Sequence, residues 1–166
     1  MSLGRRTPYL GVLVSGLAAC SDATSPASLR VTVTVPSQSL VVTTNPAGSV
    51  SWIQFTIPVR VDNTGSSALT FVVCASRVET SVSGAWAVAW TPICLADQAT
   101  PVVVPAGERR EFPVSVGAAV QGPGGPRWIP GTIAGTYRFA AGLVPAGASG
   151  AVPMVASNTF TLVGAP

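Results

Sequence analysis

From residue 29 onward the chain alternates apolar and polar side chains with a period of two. Leu29, Val31, Val33 and Val35 interleave with Arg30, Thr32 and Thr34, the pattern of a half-buried strand with one wet face. A second short strand is expected over 40–44, ended by the turn residues Asn45-Pro46-Ala47-Gly48. A third runs over 52–61, with Trp52, Ile53, Phe55, Ile57, Val59 and Val61 on its apolar side; Pro58 within it predicts a bulge or a sheet edge. Asp62-Asn63-Thr64-Gly65 closes it with turn chemistry. Further strands are predicted over 69–80, 85–95, 110–116, 136–144 and 155–163. No stretch beyond the first twenty residues carries a helical apolar period. Strands at this spacing, separated by Gly and Pro, predict an all-β chain: one antiparallel β-sandwich of about seven or eight strands over 29–166.

Composition narrows the chemistry. Seventeen Gly and fifteen Pro make up about a fifth of the 166 residues, where about an eighth is usual. Charged residues are 9%, there is no His, and all nine basic residues are Arg. No imidazole or lysine amine exists to activate a serine nucleophile. The six acids are Asp22, Asp62, Glu79, Asp97, Glu108 and Glu111. Glu108 and Glu111 are a weak candidate for paired acid–base work, and they also flank Arg109-Arg110 as a locally neutral strand start. Asp62, Asn63 and Asp97 are candidates for a calcium site, against a plain turn. The chain is read as noncatalytic, with no cofactor and no metal.

The first twenty residues read as an address. Arg5 and Arg6 precede a mostly apolar run over 9–17, far short of the 18 or more residues that span a bilayer. Then comes Leu17-Ala18-Ala19-Cys20. The segment resembles a bacterial lipoprotein signal. That resemblance implies removal of 1–19, a lipid on Cys20, and a membrane partner through it. Ser21 after the Cys implies the outer membrane under the proteobacterial sorting rule. An ordinary secretory signal and a twin-Arg signal are the competing readings. Loss of Arg5 and Arg6 leaves seven Arg against six acids, so no basic surface for nucleic acid is expected. Residues 20–28 are small and polar and read as a tether.

With Cys20 lipidated, Cys74 and Cys94 remain, in an exported chain on successive strands. No Cys-x-x-Cys or His favours redox or zinc chemistry, so a structural disulfide is expected. Closing a loop of about twenty residues contributes about 3 kcal/mol in the chain-entropy model. A hairpin register pairing Cys74 with Cys94 sets Val78 against Trp90 and Thr80 against Val88, turning near Ser83-Gly84. It puts Trp86, Val88, Trp90 and Cys94, and with it the disulfide, on the core face, and Arg77 and Glu79 on the wet face.

Asp62-Asn63 at a strand end, the Cys-bearing strands, Pro105-Ala106-Gly107 and late Gly135-Thr136-Tyr137-Arg138-Phe139 together resemble bacterial immunoglobulin-like domains of exported proteins. These include modules of surface lipoproteins and proteinase-inhibitor-like sandwiches. The short Cys spacing departs from the usual bridge between sheets. Tyr137 is either a tyrosine corner or a plain strand aromatic. One loop, 121–131 (QGPGGPRWIPG), carries Arg127, Trp128 and Ile129. Trp and Arg are enriched in binding hot spots, so these three form a candidate binding site; alternatively Trp128 folds back as a lid on the sandwich. The expected function is a lipid-anchored cell-envelope module that binds an envelope partner or serves structurally. The alternative is a proteinase inhibitor acting through loop 121–131.

Overall fold

The computed structural model describes residues 29–47, 50–94, 101–121, 127–130 and 133–164. Nine strands lie among them: β1 (Val31–Thr34), β2 (Ser39–Ala47), β3 (Val50–Asn63), β4 (Leu69–Val82), β5 (Ala85–Trp90), β6 (Val102–Val104), β7 (Arg109–Gln121), β8 (Thr136–Pro145) and β9 (Met154–Gly164). The fold is all-β, and the sheet is open rather than a closed barrel. Around β3, one layer has β7 on one side, with β1 and the second half of β2 end to end on the other. The second layer runs from the first half of β2 through β9, β8 and β4, with β5 and β6 end to end on the outer edge of β4. β2 thus belongs to both layers.

The period-two pattern is obeyed most strictly in β3. Ile53, Phe55, Ile57, Val59 and Val61 are all buried, while Gln54, Thr56 and Arg60 face outward. β-branched and aromatic side chains at alternate positions suit this half-buried pleat. The two layers meet in one core, where Phe71 of β4 stacks 4.5 Å from Phe112 of β7.

Several expectations are corrected. The strands number nine among the described residues, because the short β6 pairs with β4 as a separate piece. The sandwich is not wholly antiparallel: β2 and β9 run parallel over Ser39↔Thr161 to Val42↔Gly164. The chain leaves β1, crosses to the other layer and lies beside β9, and returns to β3. Asn158 secures that crossing, accepting from the Val35 N–H at 2.7 Å and donating to the Val35 carbonyl at 3.0 Å. Asn45-Pro46-Ala47 continue β2 rather than ending it. Pro58 sits at no bulge; it faces Pro113 inside a regular β3–β7 ladder, and on its other side it falls in the gap between the β2 pairing (50–54) and the β1 pairing (60–63), a local open edge of the kind expected. A proline is tolerated where the pair is not hydrogen-bonded, since its missing N–H then points away from the partner. On β7, which forms the edge of its layer, Pro113 also removes a donor from the open side and blunts that edge.

The β4–β5 hairpin turns at Ser83 and Gly84, both with positive φ (50° and 82°), the conformation a two-residue hairpin favours. Val78 faces Trp90 as expected, but Glu79 then faces Val88 and Thr80 faces Ala87. Ala89 is the extra, bulged residue. A one-residue slip exchanges the faces of a strand. Trp86 and Val88 therefore join Glu79 on the outward face, which corrects the expected placement of these two, while Trp90 stays in the core and Glu79 on the outward face as expected.

The Cys74–Cys94 disulfide is present, with Cα atoms 5.7 Å apart. Both cysteines are exposed rather than in the core, and Cys94 lies beyond the end of β5. Cys74 sits in an irregular stretch of β4, where residues 73–76 stand between the Val72↔Gly142 and Arg77↔Ala140 pairs. Ser76 repairs that break: its hydroxyl donates to the Val72 carbonyl at 2.9 Å and accepts from the Gly142 N–H at 3.0 Å. Gly142 is required there, since a Cβ would lie 2.8 Å from that of Ala75. The disulfide ties this stretch to the segment that separates β5 from β6.

Candidate functional site

Of the loop residues 127–129, Trp128 is 3% exposed and folds inward. Its indole packs between Phe55 (5.9 Å, edge-on) and Tyr137 (5.3 Å). Its backbone N–H donates to Ala119 of β7, while that of Ile129 donates to Ala89 of β5, the bulged residue. The indole N–H of Trp90 adds a third link, to the Gly117 carbonyl of β7 at 3.1 Å. The segment sews the edges of the two layers together. The displayed reading of Trp128 is thereby corrected to the lid, because an indole this large contributes more inside the sandwich than out. Arg127 and Ile129 remain at the surface. Residues 122–126 and 131–132 lie outside the described residues, as do Cys20 and the tether.

Tyr137, 1% exposed, donates its hydroxyl to the Ile133 carbonyl four residues upstream at 2.7 Å. It is a tyrosine corner, and burial pushes its phenol above the ordinary range.

The acidic candidates are dispersed. Asn63 is buried, and its side-chain oxygen accepts from the Gly65 N–H, closing an Asx turn. Its amide nitrogen reaches the carbonyls of Ser67, Val104 and Pro105 at 2.9–3.1 Å. Asp62 pairs with Arg109 across the β3–β7 ladder; Asp97 lies outside the described residues. Glu108 pairs with Arg110 and Glu111 with Arg60, so the two glutamates are each held by a different arginine. All four described carboxylates lie against guanidinium groups.

The most structured polar surface is the outward face of the β8 layer. Glu79 of β4, its side chain 5% exposed, receives Arg77 at 2.6 Å on one oxygen and Arg138 of β8 at 2.6 Å on the other. Burial raises its pKa, and the two guanidinium hydrogen bonds with their charges outweigh burial, holding the carboxyl below its ordinary range. The Arg138 guanidinium stacks 4.3 Å from the centre of the Trp86 ring, a cation–π contact. On the same face a trough of about 480 Å³ is lined by Gln38, Ser39, Thr136, Asn158, Thr159 and Thr161 over Phe160. Sequence reasoning missed this surface. Arg138 between inward-facing Tyr137 and Phe139 was its one visible signal, while the bulge that turns Trp86 toward it leaves none.

No family model matches the chain, and no curated protein matches it. Among solved structures, Northeast Structural Genomics Consortium target SoR45 is similar over 81% of this chain and 87% of its own, at 13% identity and a TM-score of 0.45. A β-glucuronidase from glycoside hydrolase family 2 is similar over 80% of this chain and 12% of its own, at 11% identity and a TM-score of 0.40. No functional residue is carried over from either.

Proposed function

We propose that residues 20–166 form a noncatalytic binding module with an immunoglobulin-like sandwich, held on the cell envelope, at the outer membrane, by a lipid on Cys20. The observation that carries this reading is the order Arg5-Arg6, the apolar run over 9–17, then Leu17-Ala18-Ala19-Cys20. The eight residues between Cys20 and Leu29 span at most about 28 Å, so the anchor keeps the domain close to the bilayer. The engagement of every described carboxylate by arginine argues against acid–base chemistry by these groups. A disulfide suits an oxidising compartment.

Intact mass of the membrane-extracted chain, with and without reduction, tests the reading. The expected species is residues 20–166 plus acyl chains, gaining two hydrogens on reduction, with Cys20→Ala abolishing both acylation and membrane retention. An unacylated species, or one cleaved elsewhere, overturns the anchor.

A further inference from the structure

The strand registers line up one row of side chains straight across the outward face of the β8 layer. Ser39 of β2 faces Thr161 of β9, and Thr161 faces Thr136 of β8. Ser81 of β4, one step past the Thr80↔Tyr137 pair, stands beside Thr136, and it faces Trp86 of β5. Ser39, Thr161, Thr136 and Ser81 are exposed, and Trp86 is half-buried. The row therefore presents four hydroxyls on four neighbouring strands, about 4.8 Å apart, and ends on an indole.

Two features set this row apart from an ordinary wet sheet face. Solvated faces are usually dressed with charged side chains; the five residues of this row carry none, and the nearest charges, Arg138 and Glu79, are paired with each other. Two of its hydroxyls are also held in place: Ser39 and Thr161 bond each other at 3.1 Å, and Thr161 reaches the Gln38 carbonyl at 3.2 Å. At the far end the indole is fixed by the Arg138 stack, and Arg138 is itself fixed by Glu79. Preorganised groups lose little entropy on binding. The trough of about 480 Å³ along Ser39, Thr136, Thr159 and Thr161 gives depth to the β2–β9–β8 part of the row.

We propose that this row is a binding site for an uncharged saccharide chain laid across the strands. Evenly spaced hydroxyls that both donate and accept match a ligand whose own hydroxyls do the same at each ring. One face of the indole is covered by Arg138, so the C–H face of a sugar ring would meet the remaining, half-buried surface of the ring. The one guanidinium stacked on the row, Arg138, is already paired with Glu79, so it offers little to an anionic polymer. The inference rests on the envelope-module reading for its setting, and it names the ligand class of that module.

The test is a titration of the isotope-labelled mature chain, residues 20–166, with cellohexaose and with hexa-N-acetylchitohexaose, followed by amide and indole NMR shifts. Shifts confined to Ser39, Ser81, Trp86, Thr136 and Thr161, saturating with either sugar, are the expected result. Thr136→Val and Thr161→Val, which keep side-chain shape, should each weaken binding about fivefold, the value of one net hydrogen bond. Trp86→Ala should weaken it about tenfold, whereas Arg60→Ala on the opposite layer should leave it unchanged. No shift in the row with either sugar at about 10 mM, ten times a Kd of about 1 mM, overturns the proposal. So do shifts confined to another face, or threonine variants that bind as well as the parent. Because the mass experiment reads the anchor independently, a failed titration beside an acylated Cys20 removes the saccharide alone.

Discussion

The two outward faces of the sandwich hold arginine–carboxylate pairs at different depths. On the β3 layer, Arg60 meets Glu111 and Arg109 meets Asp62 across neighbouring strands, and at least one partner in each pair is more than one-third exposed. On the β8 layer, Glu79 is 5% exposed between two arginines that are themselves 38% and 27% exposed. An exposed pair exchanges good hydration for a modest attraction and gains little. A buried carboxylate has already lost its hydration, and only its two guanidinium partners offset that loss. The same chemistry therefore decorates one face and braces the other, where Arg138 links β8 to β4 and also carries Trp86.

The largest effect should follow from stranding the buried acid. In Arg77→Ala/Arg138→Ala, Glu79 keeps its site without either partner, and urea unfolding with the disulfide intact should show a loss of about 3–5 kcal/mol. A loss below about 1 kcal/mol would place Glu79 in the same class as the exposed pairs and erase the contrast.

Next in size is the acid limb of stability. The Glu79 carboxyl titrates below its ordinary range in the folded chain. Its contribution is thus complete above the unfolded carboxylate pKa of about 4.3, and it is lost as pH falls through the lower folded value. Glu79→Gln should be less stable than the parent at neutral pH, by about 2 kcal/mol for charge-assisted hydrogen bonds weakened. The gap between the two should close as the pH falls below that range. A gap that stays constant with pH would show that the charge of Glu79 is not what stabilises the face.

How far the sequence foretold this contrast differs by residue. The inward run of β3, the Cys74–Cys94 bond and the Val78↔Trp90 pairing follow from period two and cysteine spacing, which are local signals. The depth of Glu79 is not local. It depends on the bulge at Ala89, whose carbonyl is taken by Ile129, forty residues on. Without that bulge Glu79 reads as wet and Trp86 as core. The parallel β2–β9 pairing and the short β6 also arise from long-range contacts, and a three-valine run between prolines carries no period to read. Trp128 offered two readings, display or lid; the choice was settled by the space between Phe55 and Tyr137, which no spacing along the chain encodes.

A smaller effect separates the indole from the ions beneath it. Trp86→Ala removes the stack on Arg138 while leaving both arginines on Glu79. A partly exposed cation–π contact contributes about 1 kcal/mol, so stability should fall by about that much. The acid limb should keep its shape, since the groups that lower the Glu79 pKa are untouched. A changed acid profile would mean that the ring acts mainly by drying the carboxylate.

The smallest effect belongs to the opposite face. Arg60→Ala removes a pair whose partners are 37% and 50% exposed, and the loss should stay below about 1 kcal/mol. It should also shrink further on raising salt, because exposed charges are screened within about 10 Å at 0.1 M ionic strength. The arginine stem still covers part of the β3–β7 surface, so any loss that persists at high salt measures packing rather than charge. Glu111→Ala separates the two, since it deletes the charge partner but leaves that stem in place. If both variants lose the same salt-sensitive amount, the pair acts through charge alone. If Arg60→Ala loses more, the exposed face too is braced, by apolar cover where the buried face uses ions.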